Sequence, residues 1–496
     1  MNGAETAVAG PTVAFSTLGC KVNYSEAEAL GRQFMARGYR IVPFEQAADV
    51  YVVNTCTVTQ VADQKSRKEI RAAARRNPAA LVAATGCYVS IANHGLEDVL
   101  PGNVLIVPNR HKDDLVDLVE QARSARQSCT SLALETDAPG TSRPLSRHAV
   151  ALERSSGTSA LPVPLAPAAL VPLRAAATPA ALGRTRANLK VQDGCNAGCS
   201  FCIIPRARGG PRSVPLAEAV EAARRLEEWG YREIVISGVL LGSYGRDLPG
   251  APRLRDLLEA MLDGTREARI RVSSVEPQDV DRELFVLWQN PRLCRHLHLP
   301  LQSGSTAILR AMRRRYSAEW YADLVCAAVA QIPGLAVTID LMVGFPGEDD
   351  DLFEESYRLV AGLPLAGMHV FPYSPRRGTA AAKYPGQVDD RVKNARGARM
   401  RALAAEQAGR FRRAQLGSTL PVLWEERSGD LWTGLTDNYV RVYCRDQGQA
   451  ANTVTPVSLV ELYDDGVLGI PIHGGNAGCP PAAVSSRHCN ALHTPG

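Results

Sequence analysis

The order of strand-like and helix-like stretches constrains this chain more than any single motif does. Between residues 12 and 127 short β-branched runs alternate with helical patterns, the sign of βαβ units and a parallel sheet. Val13 to Ser16 leads into Cys20, Val50 to Val53 into Cys56, and Leu81 to Ala84 into Cys87. Each cysteine falls just past the carboxyl end of an expected strand. In an open parallel sheet those ends share one edge, where ligands bind, so three thiols far apart in sequence are expected to converge. The alternative is three buried apolar thiols, the usual fate of free cysteine. Against it, each cysteine sits in a Gly/Thr/Asn-rich turn outside the apolar run.

The helices between these strands also have readable signals. Ser25 and Glu28 fit a capping box, followed by Ala29, Leu30, Phe34 and Met35 at helical spacing. A second helix is expected from about Val61 to Arg76, carrying Lys65, Arg67, Lys68, Arg71, Arg75 and Arg76. Both a solvated face and an RNA phosphate contact fit that much positive charge.

From Ala160 to Leu182 the only charge is Arg174, which gives the segment the look of a membrane span. Five prolines (Pro162, Pro164, Pro167, Pro172, Pro179) exclude that, because each removes a helical hydrogen bond that lipid cannot replace. The stretch reads as a Ser/Ala/Pro-rich linker over 128–183, following an N-terminal domain over 12–127. Beyond it, runs at Asn188–Val191, Glu233–Ser237, Ile270–Ser273, His296–Leu299, Ala336–Val343 and Gly367–Phe371 alternate with helical stretches. They predict a partial (β/α)6 barrel over 184–412, with its active site at the carboxyl ends of the strands. Runs at Leu420–Trp424, Leu431–Thr436, Tyr439–Tyr443 and Thr453–Val460 predict a small antiparallel β-barrel over 413–470. The tail 471–496 is Gly/Pro/Ser-rich and expected to be disordered. The fold class is therefore α/β: a parallel-sheet N-terminal domain, a partial barrel and a small C-terminal β-barrel.

Composition narrows the function classes. With 496 residues, 45% hydrophobic and 22% charged, wholesale disorder is excluded and about three domains fit. The net charge of +5 is compatible with a nucleic-acid partner without demanding one. Twelve unevenly spaced cysteines suit ligands better than staples and point to a reducing compartment. The early apolar stretches are short and no Lys or Arg precedes Lys21, so a secretory leader is not expected and the cytoplasm is.

Cys195, Cys199 and Cys202 form a CxxxCxxC triplet directly after the first expected barrel strand. Three thiolates on one tight loop can hold three irons of a 4Fe-4S cluster and leave the fourth open, whereas a structural zinc site is usually closed by four ligands. No fourth Cys or His follows at close spacing. The remaining cysteines, Cys129, Cys294, Cys326, Cys444, Cys479 and Cys489, show no ligand spacing.

With this triplet the sequence resembles the radical S-adenosylmethionine (SAM) enzymes, and with the upstream cysteines it resembles their methylthiotransferase branch. The resemblance runs from about Thr12 to Ile470, the linker apart. It is carried by Gly19-Cys20-Lys21-Val22-Asn23, Asn54-Thr55-Cys56, Thr85-Gly86-Cys87, the triplet, and Pro205 with Arg208-Gly209. Further along it includes Ser237-Gly238-Val239, Gly242-Ser243-Tyr244-Gly245, Ser273-Ser274-Val275-Glu276-Pro277 and Leu301-Gln302-Ser303-Gly304-Ser305. Val343-Gly344-Phe345-Pro346-Gly347-Glu348 and Phe371-Pro372-Tyr373-Ser374 complete the ordered series.

The resemblance implies two 4Fe-4S clusters, an auxiliary one on Cys20, Cys56 and Cys87 and one on Cys195, Cys199 and Cys202 that binds SAM at its open iron. Residues proposed from position to contact SAM are Phe201, Gly238, Gly242, Ser273, Glu276, Gln302, Ser303, Gly344 and Tyr373. By the same comparison the reaction inserts sulfur and a methyl group, with a one-electron donor such as flavodoxin or ferredoxin. The Gly19–Asn23 form resembles enzymes acting on N6-threonylcarbamoyladenosine beside the tRNA anticodon. Isopentenyladenosine in tRNA and a ribosomal protein are the alternative substrates, and a metal-stabilised RNA-binding protein is the non-enzymatic alternative. The last barrel resembles a TRAM domain, which usually binds RNA; its Arg441, Arg445, Trp432, Tyr439 and Tyr443 either offer phosphate and stacking contacts to RNA or are ordinary strand residues.

Overall fold

The computed structural model describes residues 10–92, 96, 100–134, 185–445 and 448–472. These form two units, one of residues up to 134 with Ile203–Gly210, the other of residues 185 to Cys202 and from Pro211 onward. Most of the expected linker and nearly all of the expected tail, with Cys479 and Cys489, lie outside the described residues. Among the described residues no helix is long and apolar enough to cross a membrane.

In the first unit β1 (Thr12–Thr17), α1 (Lys21–Ala36), β2 (Arg40–Val42), β3 (Val50–Thr55), α2 (Gln60–Arg76), β4 (Leu81–Gly86), α3 (Cys87–Ile91) and β5 (Val104–Val107) follow one another. A last helix spans Leu115–Leu134, past the expected domain boundary at 127. The sheet runs β2-β1-β3-β4-β5 with every pair parallel. Every residue of β3 and β4 is buried, as a central parallel strand covered on both faces requires. Alternate side chains serve opposite cores. Tyr51, Val53, Val82 and Ala84 pack with Ile70 of α2, while Val50, Val52, Leu81 and Ala83 pack with Leu30 and Phe34 of α1 and with Leu115.

One expected helix start is corrected. α1 begins at Lys21 with Cys20 as its cap residue and no side-chain cap, and Ser25 and Glu28 are buried within the helix. The chain turns through Gly19 at φ +103 as soon as β1 ends, leaving no room for a later start. Asn23 secures the first turn instead, donating to Leu18 O at 2.6 Å and Thr55 O at 3.0 Å. α2 does carry a cap, since Thr59 accepts from the Ala62 amide at 3.1 Å.

In the second unit β6 (Arg186–Lys190) is followed by a small ribbon of β7 (Gln192–Asp193) and β8 (Arg212–Ser213), then β9 (Glu233–Ser237), β10 (Arg269–Val272), β11 (His296–His298), β12 (Ala336–Val343) and β13 (Gly367–Pro372). The six barrel strands are laid side by side in chain order as β6-β9-β10 and β11-β12-β13, all parallel. Parallel bridges Ile270↔Leu293 and Ser274↔His298 link the two sets. All carboxyl ends therefore lie on one edge, as a partial barrel demands.

The small barrel comprises β14 (Thr419–Ser428), β15 (Leu431–Thr436), β16 (Arg441–Cys444), β17 (Val454–Tyr463) and β18 (Gly466–Pro471), closed in the order β14-β15-β16-β18-β17. It corrects the expectation twice. β18, the hairpin partner of β17, is an additional strand in a Gly/Pro-containing stretch, and the β16–β18 pair that closes the barrel is parallel. β16 starts at Arg441, later than expected, because Tyr439 sits in a turn at φ +66.

A buried ion network joins this barrel to the amino-terminal ends of the central strands. Glu233, at the start of β9, binds Arg269 and Arg271 of β10, each at 2.6 Å. Those arginines reach carbonyls of the small barrel, Arg271 donating to Asp437 O at 2.8 Å and Arg269 to Pro421 O at 3.1 Å. Burial alone raises the Glu233 pKa, but Arg271 and Arg269 outweigh it and hold the carboxyl well below its ordinary range.

Candidate functional site

The first unit brings three of the expected ligands together. Cys20, Cys56 and Cys87 follow β1, β3 and β4, three adjacent strands, at one sheet edge. Gly19 is a glycine of necessity: a Cβ there would stand 2.9 Å from the Cys56 Cβ and 3.0 Å from its sulfur. Gly86 is another, with φ +101 and a would-be Cβ 2.3 Å from Thr55 O. Burial pushes the Cys56 thiol up to about 11, and the neighbouring Cys87 and Cys20 thiols add to the rise. Ser66 of α2 clamps the Cys56 backbone, accepting from its amide at 3.2 Å and donating to its carbonyl at 2.9 Å. Cys56 and Cys87 are buried, whereas Cys20 is exposed.

Around these thiols lies a polar set in which Glu26, Lys112 and Asn109 carry no motif signal in the sequence. Arg208 Nε donates to Cys87 Sγ at 3.3 Å, and its other nitrogens bind Glu26 at 2.8 Å and Asn23 Oδ1 at 2.6 Å. Lys112 binds the same Glu26 and reaches Asn54 Oδ1 at 3.2 Å. Asn109 approaches Cys87 Sγ at 3.7 Å through Nδ2, and its buried Oδ1 has no hydrogen-bond partner among the described residues. Arg208-Gly209 was visible as a motif, but nothing in its spacing says that the arginine reaches back to Cys87.

In the second unit Cys195, Cys199 and Cys202 lie on the loop after β7, all half-buried. Gly194 and Gly198, both at φ +73, let the loop fold back on itself. The Ala197 amide donates to Cys195 Sγ at 3.4 Å and the Cys202 amide to Cys199 O at 3.2 Å. Gln192 braces the entry through Nε2 bonds to Asp193 O and Gly194 O, both 2.9 Å, and through Oε1 accepts from the Leu240 amide at 2.7 Å. Ser200 anchors the middle, its amide and hydroxyl donating to Met312 O at 3.1 Å and Ala311 O at 2.9 Å. Arg314 Nη1 stands 3.3 Å from Cys199 Sγ and forms an ion pair with Glu276. Burial raises the Glu276 pKa in spite of that arginine.

The residues proposed from position to meet SAM divide into two groups. Phe201 packs beside Met312, Phe345 and Tyr373. Gln302, held at φ +71, has a buried amide oxygen without a hydrogen-bond partner among the described residues, and so has the Tyr373 hydroxyl. Ser273 is buried and Glu276 is engaged by Arg314. The others have packing or turn roles that need no ligand. A Cβ on Gly238 would press on Gln192 at 3.0 Å, on Gly242 it would meet Asp279 at 2.3 Å, and on Gly344 it would meet Lys393 at 2.3 Å. Ser303 accepts from the Ser305 amide at 3.2 Å. A cleft beside Cys199 is also lined by Arg246, Arg313, Arg314 and Arg315. The run Arg313-Arg314-Arg315 was the signal in the sequence that could have found it.

Among the described residues no three His, Cys, Asp or Glu side chains gather tightly enough to hold a single metal ion. A four-iron cluster asks for a different arrangement, three thiolates each reaching a different iron, and both cysteine sets supply that donor chemistry.

The aromatic residues named as stacking contacts for RNA have partners within the protein. Tyr439 stacks on His296 with ring centres 4.6 Å apart and lies under the Arg271 guanidinium at 4.9 Å. Tyr443 donates to Asp465 at 2.6 Å, and Trp432 packs on the small barrel's core. Arg441 and Arg445 are exposed, as are Lys65, Lys68, Arg71, Arg75 and Arg76 of α2. Arg67, Lys68, Arg71 and Arg75 line one groove along that helix.

Residues 12–107 match the family described as uncharacterized protein family UPF0004, and residues 189–360 match the radical SAM superfamily. A Bacillus subtilis protein named threonylcarbamoyladenosine tRNA methylthiotransferase MtaB is 36% identical, the match covering 92% of this chain and 96% of that one. Its namesake from Aquifex aeolicus is 34% identical, covering 87% of this chain and 96% of the other. A tRNA-2-methylthio-N(6)-dimethylallyladenosine synthase from Opitutus terrae is 33% identical over 86% of this chain and 90% of its own.

Proposed function

This chain belongs to the methylthiotransferases of the radical SAM superfamily, and from that premise we propose that it converts N6-threonylcarbamoyladenosine next to the tRNA anticodon to its 2-methylthio derivative. The observation that carries the substrate is the near full-length match to relatives bearing that name, from Bacillus subtilis and Aquifex aeolicus among others.

Cys195, Cys199 and Cys202 would hold the cluster that receives SAM, and Cys20, Cys56 and Cys87 the auxiliary one. When bound, these groups supply one-electron chemistry at the substrate carbon and the sulfur that is inserted there. The protein supplies position and a dry setting. Gln302 Oε1 and the Tyr373 hydroxyl, buried polar atoms without a hydrogen-bond partner among the described residues, are set to receive donors and acceptors of SAM. Phe201 shields one side of the triplet loop, and Glu276 with Arg314 fixes charge beside Cys199. The basic face of α2 with Arg441 and Arg445 provides phosphate contacts for tRNA. A one-electron donor such as flavodoxin or ferredoxin serves the clusters, in the cytoplasm where tRNA resides.

The test is nucleoside mass spectrometry of tRNA from cells lacking the protein, with and without its restoration. The expected result is loss and return of 2-methylthio-N6-threonylcarbamoyladenosine, with its unthiolated precursor moving oppositely. The match to the Opitutus terrae protein gives the second reading its definite form. If the 2-methylthio derivative of dimethylallyladenosine changes instead, that reading replaces the first.

A further inference from the structure

Arg208 ends a short helix, Ile204–Arg208, that belongs to the unit of Cys20, Cys56 and Cys87 although it follows Cys202 in sequence. Its side chain is 1% exposed. Nη1 donates to Glu26 Oε1 at 2.8 Å, and Nη2 donates to Asn23 Oδ1 at 2.6 Å and Glu26 Oε2 at 3.2 Å. A planar guanidinium held on two nitrogens has little freedom left, and the third nitrogen, Nε, faces Cys87 Sγ at 3.3 Å. Its anchors lead back to the cysteine turns. Asn23 lies in the first turn after Cys20 and bonds Thr55 O, one residue before Cys56. Glu26 is also held by Lys112, which reaches Asn54.

We propose that Arg208 is a positioning residue of the auxiliary site: it fixes the Cys87 sulfur and, through its N–H and buried positive charge, raises the reduction potential of the cluster bound there. The inference rests on the reading that Cys20, Cys56 and Cys87 hold a cluster. Its physical basis is that hydrogen bonds to ligating sulfurs and nearby charge set cluster potentials, and that a cation favours the more negative, reduced state. Burial strengthens both effects, because little water screens them. The segment that follows the three thiols of one site thus supplies an arginine to the other.

The experiment uses full-length protein with Cys195, Cys199 and Cys202 all changed to Ala, so that any cluster is the auxiliary one. Arg208→Gln and Arg208→Lys are introduced into it, the proteins are reconstituted anaerobically, and iron content and potential are read by EPR at controlled potentials. The parent is expected to hold about four irons. The Gln variant should show a lower potential and altered g values, and the Lys variant, which keeps the charge without the fork, an intermediate potential. A Gln variant with full iron and the parent's potential overturns the proposal. If the Gln variant holds no iron, the Lys variant decides, and a potential equal to the parent's overturns it equally. A parent without iron sinks instead the reading of Cys20, Cys56 and Cys87 as a cluster site.

Discussion

The two cysteine sites are built in opposite ways. Cys195, Cys199 and Cys202 share one loop, where two glycines at positive φ set the turns. Cys20, Cys56 and Cys87 come from the ends of three strands and meet only because those strands are neighbours in a parallel sheet. Yet each site ends with the same device, an arginine 3.3 Å from one sulfur and steered by a glutamate: Arg208 with Glu26, Arg314 with Glu276. Spacing in sequence suffices to assemble thiols on a loop. Placing a fixed charge beside them takes tertiary structure in both cases.

The strongest break in this comparison is functional. Cys199→Ala should abolish both SAM cleavage and methylthio product, whereas Cys56→Ala should abolish product and leave SAM cleavage largely intact. Iron in each variant should fall from about eight to about four per chain. Chromatography of the nucleoside and of 5'-deoxyadenosine checks this, and a Cys56→Ala protein still making methylthio product would end the division of labour.

Next in size is a stability effect confined to the unit with the triplet. Glu233→Gln leaves Arg269 and Arg271 without their buried carboxylate, a loss of about 3–5 kcal/mol. Denaturant unfolding measures it, and the iron proposed for Cys20, Cys56 and Cys87 should survive. Because the folded pKa of Glu233 is lowered, its stabilisation is full above the unfolded carboxyl's pKa, about 4.3. It is lost as pH falls from there toward the folded value. Wild-type stability should therefore drop over that acid range by more than the Gln variant's does.

A pair of glycine variants separates the two building principles. Gly86→Ala meets Thr55 O and adopts φ +101, so a loss of about 2–4 kcal/mol with auxiliary iron is expected. Gly198→Ala has the same sign of φ but nothing within 4 Å, so only the local backbone term of about 1–2 kcal/mol applies. Equal effects in thermal denaturation and iron loading would show that tertiary crowding does not distinguish the sites.

The smallest effect concerns RNA. Arg441→Ala with Arg445→Ala should weaken tRNA binding several-fold and flatten its salt dependence by about one to two in log–log slope. Arg441 also lies 3.6 Å from Asp465, which lowers its share. Filter binding across salt concentrations checks the slope, and an unchanged one moves the RNA face elsewhere.

Much of this was legible because β-branched runs and cysteine spacing are local signals. The six barrel strands fall where β-branched runs predict them, each within about two residues. Failures came where a distant partner decided. The capping signature at Ser25 and Glu28 was overridden by the turn at Gly19, made necessary by the close approach of Cys56. Strand β18 is Gly/Pro-containing and strand-like only because the barrel closes on it. Tyr439 looks like an RNA-stacking residue until His296 and Arg271 are found against it.

What the sequence by itself determined is the order of α/β elements, the triplet loop and the three strand ends that carry Cys20, Cys56 and Cys87. Each depends on residues a few positions apart, whose geometry the backbone enforces. Only the tertiary structure decided that Arg208 stands beside Cys87, that Arg314 stands beside Cys199, and that Gln302 and Tyr373 keep buried polar atoms without a hydrogen-bond partner among the described residues. Those are properties of burial and orientation, and an arginine in a sequence carries no sign of which sulfur, a hundred residues away, it will face.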